Sequence, residues 1–249
     1  MDPWKRPDLT DEAQRRAASF IRIMHMLILG HDFDVILAPG NSGTMMAWLA
    51  VLAYGRLGMK APPVIRIPIR LRDRKGRRIR FDNSVLLPAI MRQLGNAPTD
   101  RVLFVDDELS EKDPRTLKEV LRLFRKAGGQ AHEVFVVAEG RGPQIKGFNV
   151  KYFPFARQTK EWKGVRNFVS YAIPWNIQKR IRERYSDDVI DSKELFCILL
   201  GEPVRGLRGG RPVLSHKWEP ILKRNIRGFS GLQKDFRNHL KRLAGRASA

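Results

Sequence analysis

The sequence predicts an α/β protein: a mostly parallel, twisted sheet with helices on both faces, followed by a basic, mainly helical C-terminal extension. Three observations carry this reading. Apolar runs of strand length alternate with helical periods over residues 1–155. A Pro-Gly turn joins the first apolar run to an apolar helix, as a βα unit requires. After Phe155 the alternation stops and the charge density rises. Residues 1–155 hold 26 basic against 17 acidic side chains, and residues 156–249 hold 21 against 9, so the shorter part carries the larger excess. The boundary is placed between Phe155 and Trp162, which gives a domain over 1–155 and an extension over 156–249.

The elements follow in order. Thr10 fits a helix N-cap, with Asp11 and Glu12 near the positive end. Ala13, Ala17, Phe20, Ile21, Met24 and Ile28 then recur on one face, and Gly30 stops the helix. Phe33 to Ala38 reads as a buried strand, Pro39 to Gly43 as a turn, and Thr44 to Leu57 as a helix that is apolar nearly all round. Val64 to Leu71 reads as a second strand despite Pro68. Ser84 to Leu94 reads as a helix interrupted at Pro88. Arg101 to Val105 is a third strand, ending at Asp106 and Asp107. Pro114 to Ala127 has the clearest helical signals, with Asp113 at the N-cap, Pro114 at N1 and Gly128 just past the end. Val134 to Ala138 and Val150 to Phe153 complete the strands.

Composition excludes several classes. At 43% hydrophobic and 29% charged residues, the chain can bury a core, which argues against wholesale disorder. No apolar run reaches the roughly 18–20 residues that span a bilayer; Thr44 to Tyr54 is the longest and suits a buried helix. The N-terminus is too polar for a secretory signal peptide. The single cysteine, Cys197, excludes an internal disulfide framework; it lies in an apolar stretch and reads as an inert core residue. The expectation is a cytoplasmic protein with no membrane role. Its formal net charge of +21 calls for an anionic partner.

Three strand-end loops carry the chemistry, because ligands of open parallel sheets sit at the carboxyl ends of the strands. The loop after Ala38 leads into a helix whose opening amides suit an anion. Val105-Asp106-Asp107-Glu108 sets adjacent carboxylates at the mouth of a buried strand. Such a cluster calls for hydroxyl donors, a metal or cations. Glu108 reads as a helix-capping or ion-pairing acid, and Asp106 and Asp107 as ligand-site residues. Arg66 to Arg80 packs eight basic residues with one acid, too dense for a core. It is either a solvated loop or an arm that closes over phosphates or lies along a nucleic-acid backbone, with Arg72, Arg74, Lys75, Arg77 and Arg78 as its cations.

The ordered set of segments resembles the type I phosphoribosyltransferases. RVLFVDDELSEKDPRTLKEVLRLFRKAG (residues 101–128) is similar to that family's phosphoribosyl-pyrophosphate signature: an apolar strand, paired acids, a phosphate loop and an amphipathic helix. DVILAPGNSGTMMAWLAVLAY is similar to its pyrophosphate loop and helix, and PPVIRIPIR to its next strand. The basic run falls where the family carries a flexible hood. The likeness covers about residues 20–155. It implies that Asp106 and Asp107 accept hydrogen bonds from the ribose hydroxyls, with Mg²⁺ close by. It implies that Ser110, Lys112, Arg115 and Thr116 hold the 5′-phosphate. Asn41, Ser42 and Gly43 would hold the pyrophosphate with Arg66 or Arg70, and Glu111 would serve as base or orient the nucleophile. The substrate is then phosphoribosyl pyrophosphate or a related nucleotide.

The chain departs from the family at its phosphate loop. Ser110-Glu-Lys-Asp-Pro-Arg-Thr116 is longer than the usual loop and has no glycine, so its backbone is less free to wrap a phosphate. A carboxylate of Asp113 at the N-cap would compete with phosphate for the same donors. VLFVDDE also resembles the first strand of a response-regulator receiver, but VKYFPF lacks the phosphoacceptor Asp that such a domain needs at a later strand end.

In the extension, Asp187 to Leu200, Trp218 to Ile226 and Gly231 to Leu243 read as helices. The last carries Lys234, Arg237, Lys241 and Arg242 beside Leu232, Phe236, Leu240 and Leu243. One reading is a helical extension packing on the sheet domain or on a second copy in a homodimer. The other is a nucleic-acid surface, made with the glycine-arginine stretch Val204 to Arg211. A membrane-surface role is the weakest, because the apolar face is small. His216 and His239 lack metal-ligand spacing. Two functions stay open: an Mg²⁺-dependent phosphoribosyl transferase, and a non-catalytic relative that senses nucleotides or binds nucleic acid.

Overall fold

The computed structural model describes residues 7–67, 69, 83–109, 114–156, 173–184, 195, 198–200, 205–208, 211–214 and 226–246. They contain five parallel strands in one sheet: β1 (Val35–Pro39), β2 (Val64–Ile67), β3 (Arg101–Glu108), β4 (Glu133–Glu139) and β5 (Asn149–Pro154), in the order β2-β1-β3-β4-β5. The intervening helices are α2 (Gly40–Arg56), α3 (Asn83–Leu94) and α4 (Arg115–Lys126), and α1 (Pro7–Gly30) precedes the first strand. After the sheet come α5 (Trp175–Arg184), β6 (Arg205–Arg208), β7 (Arg211–Leu214) and α6 (Ile226–Arg246).

The sheet is buried on both faces, which is why its strands read as continuous apolar runs rather than alternating ones. All five residues of β1 are buried. On one face Val35, Leu37, Ile65, Val102, Phe104, Val134 and Val136 join Leu86 and Ile90 of α3 and Leu117, Val120, Leu121 and Phe124 of α4 in one core. On the other, α2 packs on β1 and β3 and buries Met45, Met46, Leu49, Ala50 and Ala53. The expected face of α1, from Ala13 to Ile28, is buried throughout.

The structure corrects several element boundaries. α1 starts at Pro7, not at a Thr10 cap, since proline is pre-set for the first helical turn; Glu12 instead pairs with Arg15 and Arg16. α2 begins at Gly40, so the turn expected over residues 39–43 is compressed into one residue, Gly40, at φ +55°. β2 ends at Ile67, before the proline that has no amide hydrogen to offer a ladder. α3 runs unbroken through Pro88, at the loss of one helical hydrogen bond. β3 continues to Glu108, with a register shift after Val105. At α4 the N-cap is Pro114 and not Asp113, with no side-chain cap. Its C-terminus is as expected: Gly128 adopts φ +99° and the Gly129 amide donates to the Phe124 carbonyl.

The region after Phe155 is not uniformly helical, because β6 and β7 pair as a two-stranded sheet within the glycine-arginine stretch. α6 is also longer than the helix expected over Gly231 to Leu243. Of Asp187 to Leu200, residues 195 and 198–200 are helical. The part of Trp218 to Ile226 before Ile226, together with His216 and Cys197, lies outside the described residues. By compactness the chain forms two units that are not consecutive in sequence: Ile23–Gln158 with Arg205–Val213, and Met1–Arg22 with Thr159–Val204 and Leu214–Ala249. Among the described residues no helix is long and apolar enough to cross a membrane.

Candidate functional site

In the order β2-β1-β3-β4-β5 the chain leaves β1 in one direction toward β2 and later returns to β1's other side as β3. The carboxyl ends of β1 and β3 therefore diverge into loops on opposite sides, and the crevice between them is where such sheets hold ligands. The residues that end these two strands are the ones expected at the site.

Two glycines set the β1 side. A Cβ on Gly40 would lie 3.1 Å from the Ile69 carbonyl oxygen, and one on Gly43 would lie 2.3 Å from Pro39 Cδ and 2.8 Å from the Ala38 carbonyl carbon. The first turn of α2 is thus folded tightly back on the strand that feeds it. Pro39 occupies the N-cap without a side-chain cap, and the first turn holds no acidic residue. The helix opens with its positive dipole end uncompensated by a carboxylate of its own. Asn41 and Ser42 stand half-buried in this turn, and Thr44 Oγ1 donates back to the Gly40 carbonyl over 2.8 Å.

On the β3 side, Asp106 and Asp107 are 5% and 4% exposed. Carboxylates so deeply buried need donors. Ser42 Oγ donates to Asp106 Oδ1 over 2.7 Å, and the Asp107 amide donates to the same oxygen over 2.9 Å. The register of β3 against β4 is irregular between Val105 and Glu108, where these two acids lie. Register resumes with Glu108 beside Glu139, and the Leu109 amide donates to the Glu139 carbonyl over 3.0 Å.

Glu139, at the carboxyl end of β4 and 9% exposed, is a third buried acid on this edge that sequence reasoning missed. Its signal was present: it closes the apolar run FVVA as Asp106 closes VLFV. No group of three or more His, Cys, Asp or Glu side chains that could hold a metal is found among the described residues.

No family profile matches the chain, and no curated protein matches it.

The remaining expected residues divide as follows. Arg66 lies on β2 opposite Ala38 of β1, and its peptide is held by the Gln93 side chain of α3: the Arg66 amide donates to Gln93 Oε1 over 2.9 Å, and Gln93 Nε2 donates to the Arg66 carbonyl over 3.1 Å. Gln93 thus supplies the edge strand with the bonds a further strand would make. Arg115, exposed, and Thr116, half-buried, open α4, whose first turn holds no acidic residue. Arg70, Arg72, Arg74, Lys75, Arg77, Arg78, Ser110, Glu111, Lys112 and Asp113 lie outside the described residues.

Proposed function

We propose that the chain binds phosphoribosyl pyrophosphate or a related nucleotide at the carboxyl ends of β1 and β3 and transfers its phosphoribosyl group to an acceptor. The observation that carries this reading is the Ser42–Asp106 hydrogen bond. It joins a helix-opening turn suited to an anion with a carboxylate pair suited to vicinal hydroxyls, and a sugar bearing a polyphosphate is the ligand that offers both groups together. The sequence likeness to the type I phosphoribosyltransferases and the parallel order β2-β1-β3-β4-β5 support the same reading.

Each residue then has a task. Asp106 and Asp107 accept from the two ribose hydroxyls and set the sugar's orientation. Ser42 holds the Asp106 rotamer, and the first turn of α2, with Asn41 and Gly43, faces the pyrophosphate with its amide dipoles. Arg115 and Thr116 take the 5′-phosphate at the opening of α4. In the transfer the bond from the sugar's anomeric carbon to pyrophosphate breaks and its electron pair leaves with pyrophosphate. The acceptor's lone pair forms the new bond. Groups that neutralise the departing charge lower this barrier.

Two adjacent carboxylates, with no third ligand among the described residues, do not make a protein cage for a metal. They do fit Mg²⁺, which keeps water and takes phosphate oxygens for most of its shell. Asp106 and Asp107 would be its protein-side neighbours, and the ion would supply charge neutralisation to the pyrophosphate.

Calorimetric titration of phosphoribosyl pyrophosphate with Mg²⁺ into the wild-type chain and into Asp106→Asn/Asp107→Asn tests the assignment. Binding by the wild type and its loss in the double variant are expected. Absence of binding by the wild type overturns it.

A further inference from the structure

α6 is the most strongly polarised element described outside the sheet. It carries six Lys or Arg and one acid, Asp235. Leu232, Phe236 and Leu240 are 2%, 0% and 0% exposed, so the described apolar side chains of its middle turns are buried. Two hydrogen bonds bolt it to the helical residues 198–200: Gln233 Nε2 to the Ile198 carbonyl over 2.8 Å, and Arg237 Nη2 to the Leu200 carbonyl. The opposite side is solvent-facing. Lys234, Arg237, Asn238, Lys241 and Arg242 are all exposed, and their spacing of three, four, seven and eight residues places them in one stripe. From Lys234 to Lys241 this stripe runs about 10 Å. Arg180 of α5 lies 3.4 Å from Asp235, so the helix's one carboxylate is already matched by a cation of its own protein.

We propose that this stripe on α6 docks the phosphate backbone of double-stranded nucleic acid without reading its sequence. The charge pattern fits: three to four cations over about 10 Å face a strand that presents a phosphate every 3.4 Å of rise. The occupant is a duplex rather than a single strand. Phe236 is the only Phe, Tyr or Trp among the described side chains of α6, and it is buried, so no described aromatic ring of the helix is offered to stacking bases. A lipid surface is disfavoured because an interfacial helix must lay its apolar face into the bilayer, and Leu232, Phe236 and Leu240 are already buried in the protein.

The test uses the full chain and a labelled duplex DNA of mixed sequence, with affinity followed by anisotropy across a salt series. Wild type is expected to bind with a steep salt dependence. Lys234→Gln/Lys241→Gln/Arg242→Gln is expected to weaken binding at least tenfold at low salt and to flatten the log–log slope by about 2–3, near 0.9 for each phosphate no longer neutralised. Its calorimetric titration with phosphoribosyl pyrophosphate is expected to match wild type, which separates this surface from the site on the sheet. Asp235→Asn, which removes the helix's one negative charge and leaves Arg180 uncompensated by it, is expected to tighten duplex binding severalfold and guards against a triple variant that fails to fold. Equal slopes for wild type and triple variant, tighter binding of single-stranded DNA, or binding of phosphatidylserine vesicles in place of the duplex would each overturn the proposal.

Discussion

Ser42 Oγ donates to Asp106 Oδ1 over 2.7 Å, between two residues 64 apart in sequence. Neither residue reaches the other by local geometry. The contact exists because β1 and β3 are adjacent and parallel, with Leu37 beside Phe104, so their carboxyl ends lie side by side. It fixes the carboxylate before any ligand arrives, which lowers the ordering cost of binding.

Ser42→Ala removes this donor while the Asp107 amide still holds the same oxygen. A hydrogen bond to a charged group contributes about 1.5–3 kcal/mol, so affinity for phosphoribosyl pyrophosphate with Mg²⁺ is expected to fall at least about tenfold. The thermal midpoint should fall by several degrees as well, because the buried Asp106 carboxylate loses a donor. Calorimetry and a melting curve on the same preparation check both parts.

Gly43→Ala should act differently. The added methyl would stand 2.3 Å from Pro39 Cδ, on a ring and backbone that cannot swing aside. The first turn of α2 must shift off β1, at about 1–3 kcal/mol of stability. Binding is expected to fall with it. A denaturant titration that showed no loss of stability would contradict the close approach.

Gln93→Leu leaves the Arg66 amide and carbonyl of β2 without the side-chain amide that now bonds both. Leaving half-buried backbone groups unsatisfied costs about 1–3 kcal/mol. Hydrogen exchange at the Arg66 amide should accelerate more than at Phe104 in the sheet centre, which localises the effect to the edge strand.

The opposite end of the sheet predicts a pH dependence. Glu133 of β4 lies 2.8 Å from Lys151 of β5 and 3.0 Å from Arg101 of β3. The hydrogen bond from Lys151, and then that from Arg101, hold its carboxyl below the usual carboxylate range. A carboxyl whose pKa is lower folded than unfolded stabilises the fold in full above its unfolded value, about 4.3. That contribution fades as pH falls through the folded value. Glu133→Gln should therefore melt at a lower temperature than wild type near neutral pH, with the two curves converging under acid. High salt should narrow the gap, because all three groups are partly exposed.

Much of the fold was legible because its signals are local. Uninterrupted apolar runs marked strands covered on both faces, and Gly128 marked the end of α4 because a left-handed residue there suits glycine. The boundaries that shifted are those where tertiary contact overrides local preference. Pro88 continues a helix instead of breaking it, and Gly40 alone turns the chain that was expected to need five residues. The twin acids were visible as a cluster, but their burial depends on helices covering both faces of the sheet, which no local pattern encodes. Glu139 drew no notice in the sequence because its place beside Glu108 is set by parallel pairing of β3 and β4.

The sequence by itself determined that this is an α/β chain with acids and a glycine turn at strand ends, and that its cations are concentrated in one run and in the C-terminal part. Those properties follow from periodicity and charge, which are written residue by residue. The tertiary structure decided which strand ends are neighbours, and therefore that Ser42 meets Asp106. It also decided that Leu232, Phe236 and Leu240 of α6 are buried while Lys234, Lys241 and Arg242 are exposed. Adjacency and burial depend on residues far apart in the chain, so only the folded arrangement specifies them.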